Sequence, residues 1–342
     1  MNILLTSAGR RTYMVNYFKE ALRGEGLVYV ANSAESPAMR AGDVSFLTPL
    51  IYSEEYIPFL LEKCQEYRID LLVSLFDIDL PVLAAHSREF EEAGTTLAVS
   101  DSGMLSNCND KYNMFLKLRE AGLPCPKSIL DPEEALRRTE NGDLSWPLLL
   151  KPRYGMGSVG LYRAYRKEEL TAFYGACERE INETYLRYES RVSPGKCVLI
   201  QEVREGCEYG LDVISDLKGH FVTCIARRKL GMRSGETDEA IVLGADDPEY
   251  AILMETGEKL ARAFGPRGLI DVDIIMDGSL TPYIIDINAR FGGGYPFSHL
   301  AGADVPRAYV LWMQGRDEEA RACCRSARAG VRGYKEIVPV KR

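Results

Sequence analysis

Short apolar runs alternate with helical segments through the first hundred residues, and this alternation constrains the fold more than any other feature. The runs lie at 2–7, 28–31, 44–47, 71–75 and 96–99. The segments between them carry apolar residues at helical spacing. The run at 71–75 is continuously apolar, which is typical of a strand covered on both faces. Strands joined by crossover helices form a parallel sheet, so the sequence predicts an α/β domain at the start of the chain.

A different pattern follows residue 105. A helix is predicted at 110–121, where Gly122 and Pro124 end it. From Cys197 onward long strands dominate, at 198–203, 209–215 and 220–227. A pair at 268–276 and 283–288 is predicted to form a hairpin whose connection begins at Asp277. The last segment, 316–342, is polar and basic, with one predicted strand at 336–340.

The overall charge argues against nucleic-acid binding. The chain has 42 Lys and Arg against 50 Asp and Glu, a formal net charge of −8, whereas a nucleic-acid binder needs a concentrated basic face. A local basic cluster can still hold a small anion. The N-terminal sequence lacks the order of a signal peptide, and no apolar run approaches the roughly 18–20 residues of a membrane span. We therefore expect no membrane partner, and the nine scattered cysteines, none with C-x-x-C spacing, predict reduced thiols in a cytoplasmic protein.

The segment 151–160, KPRYGMGSVG, contains the pattern G-x-G-x-x-G. A dinucleotide-binding fingerprint opens a helix, but the residues at 159–164 read as a strand. No Gly-Lys-Ser/Thr follows, which argues against a Walker A loop. A glycine loop between two strands can cover phosphates with its backbone N–H groups. The alternative is an ordinary glycine-rich hairpin turn.

A possible adenosine contact lies about fifty residues later. Gln201, Glu202 and Val203 end a predicted strand, and Glu208 follows in EGCEYGLD. Backbone amide groups suit a purine, and a carboxylate suits ribose hydroxyls. A solvated acidic turn is the alternative for this segment alone.

The strongest motif is DINARFGGG at 286–294. Side chains alternate along a strand, so Asp286, Asn288 and Arg290 are predicted to share one face. Asp273, on the neighbouring strand, is predicted to pair across the hairpin. Two carboxylates and an amide oxygen suit Mg²⁺, which prefers oxygen ligands and bound phosphates. A polar outer face of a sheet is the alternative, but the flanking isoleucines favour a site.

Taken together, these segments resemble the ATP-grasp superfamily, and most closely its carbamoyl-phosphate-synthetase-like carboxylate–amine ligases. The resemblance also covers NDKYNMFLKLREAGLPCPKS, which contains Lys111. It implies a Rossmann-like domain at 1–105 and an ATP-grasp domain at 106–315. Two α+β subdomains of the latter grip ATP, with a lid at about 123–200. The segment 316–342 follows as a basic C-terminal extension.

The resemblance also implies roles for individual residues. Lys111 and Lys151 match the two nucleotide lysines, and Arg290 with Lys151 forms the catalytic pair. Asp273, Asp286 and Asn288 match the ligands of Mg²⁺, or of Mn²⁺ in its place. The remaining ATP contacts are Gly155, Met156, Gly157, Ser158, Gln201, Glu202, Val203 and Glu208. The cofactors implied are ATP and the metal, and a homodimer is one assembly that the resemblance permits.

The substrates are the least determined part of the sequence. Arg10 and Arg11 follow the first strand, where α/β domains bind ligands, although exposed arginines are an equal alternative. Asp77 and Asp79 follow the fourth strand and could meet an amine. Arg228 lies in a basic run, 227–229, at a predicted strand end. This run could add to the charge around the phosphates or the substrate, and a solvated turn is the alternative. Gly293 is the last substrate candidate.

The chemistry implied by the resemblance joins a small-molecule carboxylate to an amine, such as amino acids or peptides, through an acyl phosphate. A small-molecule kinase and a nucleotide-binding regulator without catalysis are the alternatives.

Overall fold

The structure is a computed structural model that describes residues 1–155, 160–233 and 235–336. Its N-terminal part contains a five-stranded parallel sheet in the order β3-β2-β1-β4-β5. The strands are β1 (Ile3–Thr6), β2 (Val28–Asn32), β3 (Val44–Leu47), β4 (Leu71–Ser74) and β5 (Thr96–Leu97). The helices are α1 (Thr12–Leu22), α2 (Pro37–Ala41), α3 (Tyr56–Glu66), α4 (Asp79–Ala85) and α5 (Ser87–Glu92). The central strands are buried along their whole length, so the predicted parallel α/β domain is confirmed.

Two helices, α6 (Ser102–Asn109) and α7 (Lys111–Glu120), lead into a small antiparallel sheet in the order β6-β9-β7-β8. Its strands are β6 (Ser128–Ile129), β7 (Leu148–Pro152), β8 (Tyr162–Ala164) and β9 (Val198–Glu202). Its helices are α8 (Pro132–Glu140), α9 (Lys167–Glu183) and α10 (Arg187–Ser190). Leu148, Leu150 and Ile200 pack with Leu170 and Cys177 of α9 in a separate core. We call this unit, residues 128–202, the lid.

A six-stranded antiparallel sheet forms the base opposite the lid, in the order β14-β13-β10-β11-β12-β15. The strands are β10 (Cys207–Ser215), β11 (Phe221–Arg233), β12 (Glu236–Val242), β13 (Leu269–Met276), β14 (Pro282–Asn288) and β15 (Arg332–Tyr334). The helix α11 (Tyr250–Phe264) packs against it through Leu253 and Leu260. The predicted hairpin at Asp277 is confirmed, because that carboxylate accepts backbone N–H groups across the turn.

The predicted end of β11 is wrong. The strand continues to Arg233, so Arg227, Arg228 and Lys229 lie in its middle and form neither a strand end nor a solvated turn. A run of three basic residues favours exposure on the evidence of sequence alone. In the structure each of the three is paired with a carboxylate from another segment.

The end of the chain contains more structure than was predicted. The helices α12 (Tyr295–Leu300), α13 (Val305–Met313) and α14 (Asp317–Arg325) follow the DINAR segment. Arg307 of α13 donates to the carbonyl oxygen of Ala21 at 2.7 Å, which joins these helices to α1. Ala320 and Cys324 bury one face of α14. Of the strand predicted at 336–340, residue 336 is not in a strand and 337–340 lie outside the described residues. No helix in the described ranges has the length and apolarity needed to span a bilayer.

Candidate active site

Two loops of the N-terminal sheet meet where its strand order reverses, between β1 and β4. Such a switch point lines the ligand crevice of open parallel sheets. Arg11, in the loop after β1, donates a hydrogen bond to the carbonyl oxygen of Leu75 in the loop after β4. Asp77 follows in the same loop and is 6% exposed. The structure therefore brings Arg11 and Asp77 together at this edge.

Asp79 has a different environment from its neighbour. Its carboxylate is fully buried and accepts hydrogen bonds from the hydroxyl groups of Thr6, Ser74 and Tyr56 at 2.5, 2.8 and 2.7 Å. Burial raises the pKa of this carboxyl. The expectation that Asp79 meets an amine is therefore wrong, since its oxygens are occupied inside the domain.

The carboxylates predicted to bind metal face each other on the base sheet. Asp286 and Asn288 lie on β14, and Asp273 lies opposite Asp286 on β13. Lys111 Nζ is 2.6 Å from Asp286 Oδ1, and Lys229 Nζ is 2.6 Å from Asp273 Oδ1. Burial opposes ionisation of Asp286, but the nearby lysine charges outweigh it and lower its pKa. Each carboxylate is therefore ion-paired with the ammonium group of a lysine.

Lys151 reaches this cluster from the lid. It lies on β7, and its Nζ is 3.4 Å from the carbonyl oxygen of Ile285 on β14. Burial, reinforced by repulsion from Lys111, lowers the pKa of Lys151 to about 8. The two lysines thus form a cationic pair across the cleft between lid and base, and an anion between them would relieve their repulsion.

Arg290 lies just past β14 and connects the base sheet to the N-terminal sheet. Its Nε and Nη2 are 2.7 and 2.6 Å from Oδ2 of Asp77. Its Nη2 also donates to Asn288 Oδ1 at 3.2 Å, and its Nη1 to the carbonyl oxygen of Phe291 at 3.0 Å. The guanidinium is buried, and its carboxylate neighbours outweigh that burial and raise the pKa of Arg290. The side chain is therefore fixed in one orientation beside β14.

The predicted adenosine segment lies at the outer end of the lid sheet. Gln201 is buried on β9, and its amide donates to a serine hydroxyl of β6 at 2.9 Å. The carboxylate of Glu202 accepts from Arg204 Nη2 at 2.7 Å. Val203 follows the strand, and the N–H of its neighbour Glu202 donates to the carbonyl oxygen of Lys127, just before β6, at 2.9 Å. Glu208 is exposed on β10, 3.8 Å from a lysine ammonium of β11.

The predicted phosphate loop lies only partly within the described residues. Gly155 follows β7 and faces the cavity beside Lys111 and Asp286. Met156, Gly157 and Ser158 lie outside the described residues. The flanking strands β7 and β8 are antiparallel partners, as the prediction of a strand, a loop and a strand requires.

Two family profiles cover most of the chain. The PylC-like N-terminal domain matches residues 3–98, and the ATP-grasp domain matches residues 108–294. The second match alone spans more than half of the sequence. The chain belongs to the ATP-grasp family. The resemblance inferred from the separate motifs is confirmed, and so is the two-part fold that it implied.

Curated relatives of this ATP-grasp chain include carbamoyl phosphate synthase large chains. That of Thermomicrobium roseum is 25% identical over 231 residues, which are 66% of this chain and 20% of the relative. The C-terminal section of the enzyme from Methanopyrus kandleri is 26% identical over 236 residues, 66% of this chain and 41% of the relative. The chain thus spans about a fifth of the full-length relatives.

Solved structures support the fold. The biotin carboxylase domain of Hydrogenobacter thermophilus 2-oxoglutarate carboxylase, crystallised with MgADP, ADP and bicarbonate, has a TM-score of 0.72 at 19% identity. It covers 92% of this chain and 69% of that one. An L-amino acid ligase from Bacillus licheniformis has a TM-score of 0.67 at 21% identity, covering 92% and 74%. At these identities the likeness shows the fold alone.

ATP-grasp enzymes use ATP and Mg²⁺, and the donor set of this cleft fits that metal. Asp273, Asp286 and Asn288 supply two carboxylates and an amide oxygen, all hard ligands. Within the described ranges no group of three or more His, Cys, Asp and Glu side chains is arranged to hold a metal by itself. Mg²⁺ sites in proteins combine one or two carboxylates with water and substrate phosphates.

Three predicted substrate residues are not part of the Arg290 cluster. Arg10 has a side chain 85% exposed and pairs with Glu236 at 3.3 Å. Arg228 pairs with Glu249, the residue before α11, and lines a second cavity together with Glu208. Gly293 lies in the turn after Arg290; a Cβ added there would be 3.8 Å from Lys335 Nζ.

A buried ion cluster beneath the site was not predicted. Arg227 is 2% exposed and donates to Asp212 Oδ2, to Asp271 Oδ1 at 3.1 Å and to Ser298 Oγ at 2.7 Å. Ser298 in turn donates to Asp212 at 2.6 Å. These residues come from β10, β11, β13 and α12, so no local pattern joins them.

The glycine run after Arg290 packs directly on this cluster. A Cβ at Gly292 would lie 2.1 Å from the carboxylate of Asp271, and one at Gly294 would lie 2.9 Å from Arg227 Nη2. Side chains at either position would displace the cluster. In the sequence, the glycine run was therefore the one sign that the backbone here lies close to the buried ion cluster.

Proposed function

We propose that this chain is an ATP-dependent carboxylate–amine ligase that forms an amide or peptide bond through an acyl phosphate and releases ADP and phosphate. The observation that carries the proposal is Arg290, which is buried between Asp77 and Asn288. It lies just past the strand that carries Asp286, the carboxylate paired with Lys111.

The chemistry requires activation because a carboxylate has no good leaving group. Transfer of the γ-phosphoryl group of ATP gives an acyl phosphate, which an amine attacks with loss of phosphate. Protein catalysis of such a transfer is mainly positioning and charge stabilisation. Arg290 suits the carboxylate and its acyl phosphate, since a guanidinium fork binds two oxygens at once.

The nucleotide is assigned to the cleft between lid and base. Lys111 and Lys151 contact its phosphates, and the loop from Gly155 to Gly160 covers them and excludes water. Glu202 and Val203 contact the adenine, and Glu208 the ribose. Asp273, Asp286 and Asn288 hold Mg²⁺, which neutralises phosphate charge when bound.

The substrates are a small carboxylate and an amine, in the class of amino acids or short peptides. Arg11 supports a carboxylate substrate. Burial lowers the pKa of Arg11, and repulsion from the charge of Arg290 lowers it further. Two guanidinium groups whose charges repel each other in this way favour a nearby anion. The fold shared with the Bacillus licheniformis amino acid ligase also supports this class. We extend the proposal to a homodimer, which light scattering would test.

Measuring ADP and phosphate release against a panel of carboxylates, with and without amines, tests the function. A ligase releases ADP only when both substrates are present, and hydroxylamine in place of the amine gives a hydroxamate. AMP and pyrophosphate would contradict the acyl phosphate and point to adenylation. ADP together with a stable phosphorylated product would indicate a kinase.

A further inference from the structure

A small polar cavity lies where the N-terminal sheet, the lid and β14 converge. Its volume is about 20 Å³, which is room for a group the size of one water molecule. Asp77 and Asn109 line it from the N-terminal side, Glu189 from α10 of the lid, and Asp286 and Asn288 from β14. The proposed function assigns the β14 side to metal and phosphates. It leaves the side formed by Asp77 and Glu189 without a role.

Asp77 offers one oxygen to this cavity. Its Oδ2 is held by Arg290, while its Oδ1 is buried and has no hydrogen-bond partner among the residues that the structure describes. The side chain is 9% exposed. An unpaired buried acceptor is costly, and native proteins rarely leave one without a donor from protein, water or ligand. A donor that enters the cavity would satisfy it.

Glu189 is the second acceptor and comes from the opposite side. Its carboxylate forms no ion pair or hydrogen bond within the described ranges. Burial, and next the charge of Asp77, raises the pKa of Glu189 to about 7, while Lys111 acts in the other direction. Tyr52 and Tyr185 are the other titratable groups near it, from the loop after β3 and from the lid.

The position of Glu189 depends on a contact between the lid and the N-terminal sheet. The ring of Tyr188, next to Glu189 on α10, stacks on Tyr52 with centroids 5.1 Å apart and planes at 27°. Arg187 and Arg191 lie over the Tyr188 ring at 5.0 and 5.4 Å. The stack brings α10 to the sheet edge, so Glu189 completes the cavity only when the lid is against that edge.

We propose that Asp77 and Glu189 together bind the ammonium group of the amine substrate. The inference rests on the proposed function and names its second substrate as a primary amine that is cationic at neutral pH. Two carboxylate oxygens attract a cationic donor and repel a carboxylate. The Oδ2 contact with Arg290 places this donor next to the guanidinium assigned to the acyl phosphate.

The proton of the amine also has a destination in this arrangement. An ammonium nitrogen has no lone pair, so one proton must leave before the nitrogen attacks the acyl carbon. Glu189 takes that proton and the C–N bond forms. Phosphate departs with the electrons of the acyl C–O bond and accepts the second proton that the nitrogen loses as the neutral amide forms. The pKa near 7 matches a group that accepts a proton at neutral pH.

Two amines of similar size test the proposal: methylamine, which is cationic at neutral pH, and hydroxylamine, which is largely uncharged. Each is supplied with ATP, Mg²⁺ and the carboxylate that supports ADP release in the panel. The variant is Glu189→Gln, which keeps the shape and removes the charge. The control is Glu183→Gln, an exposed glutamate at the end of α9 in the same lid.

Glu189→Gln is expected to raise KM for methylamine about 10- to 100-fold, because the substrate loses one hydrogen bond between charged groups. Its KM for hydroxylamine, its KM for ATP and its melting temperature should stay at the wild-type values, as should all parameters of Glu183→Gln. An equal loss with both amines would overturn the proposal and indicate a structural role for Glu189. So would a wild-type enzyme that makes the hydroxamate but no N-methylamide. Absence of ADP release with every substrate pair would instead contradict the proposed ligase function itself.

Discussion

Lys151 gives the sharpest test of the nucleotide assignment, because its protonation should depend on ATP. In the structure its pKa is lowered to about 8 by burial and by Lys111. Phosphate oxygens between the two lysines would favour the charged form and raise that pKa. Binding of ATP is then coupled to proton uptake. The affinity for ATP is highest below pH 8 and falls as the pH rises above it, by about tenfold per pH unit, or roughly 1.4 kcal/mol, until the pKa of the complex is reached.

Calorimetry in two buffers of different ionisation enthalpy measures this proton directly. At a pH equal to the pKa, Lys151 is half protonated, so uptake should be about half a proton per ATP. Lys151→Arg is the matched control, since an arginine stays charged throughout this range. Its residual uptake reports the other groups, including the phosphates. Lys151→Met should weaken ATP binding at every pH while its melting temperature stays nearly unchanged.

The reasoning fails if the wild-type enzyme and Lys151→Arg take up the same number of protons, or if the affinity of Lys151→Met equals that of the wild type. Either result would remove Lys151 from the phosphates. It would also make its position beside Lys111 a feature of the packing between lid and base.

Three further predictions address the base sheet. Arg290→Ala should keep its affinity for Mg·ATP and lose about 10²- to 10³-fold in kcat; equal losses in melting temperature and activity would indicate a stability role instead. Asp286→Asn should lose Mg²⁺-dependent turnover, while equilibrium dialysis still detects ATP bound in the absence of metal; unchanged turnover would remove it from the metal site. Arg227→Met should lower the free energy of unfolding by about 3–5 kcal/mol, because two carboxylates lose their buried partner. A change below about 1 kcal/mol in urea unfolding would show that the charge of Arg227 does not stabilise the cluster.

The parallel sheet was predictable because its evidence is local. Each strand there is a short apolar run, and the run at 71–75 is buried on both faces as its composition indicates. The full length of β11 was not predictable, because Arg227 is buried by partners that lie on β10, β13 and α12. A basic side chain carries no sign in the sequence that a carboxylate 44 residues away will neutralise it. The helices after Gly294 were missed for a related reason: they are short, and they pack against the first helix of the chain.

The same distinction holds within the site. Asp286 and Asn288 were predicted together because they share a strand face, and Asp273 because a hairpin joins its strand to theirs. Glu189 was not predicted, and Lys229 was predicted only within a basic run at a strand end that could add to the charge around the phosphates or the substrate. Both belong to segments whose local sequence resembles an ordinary solvated surface, and only the tertiary structure brings them to the cleft. Asp79 shows the opposite error. Its position after a strand predicted a contact with a ligand, but its carboxylate accepts hydrogen bonds from side chains inside the domain.

The charges of the site are balanced in pairs, and the pairs explain how a buried cleft can accept a highly charged nucleotide. Lys111 pairs with Asp286, Lys229 with Asp273, and Arg290 with Asp77, across 175, 44 and 213 residues of sequence. An isolated buried charge would be strongly unfavourable, whereas a paired one is tolerated. Under the proposed function Asp286 and Asp273 hold Mg²⁺, and Lys111 exchanges Asp286 for phosphate oxygens. Lys111 and Asp286 each have a partner of opposite charge in both arrangements, so the nucleotide replaces this ion pair instead of leaving either charge unpaired.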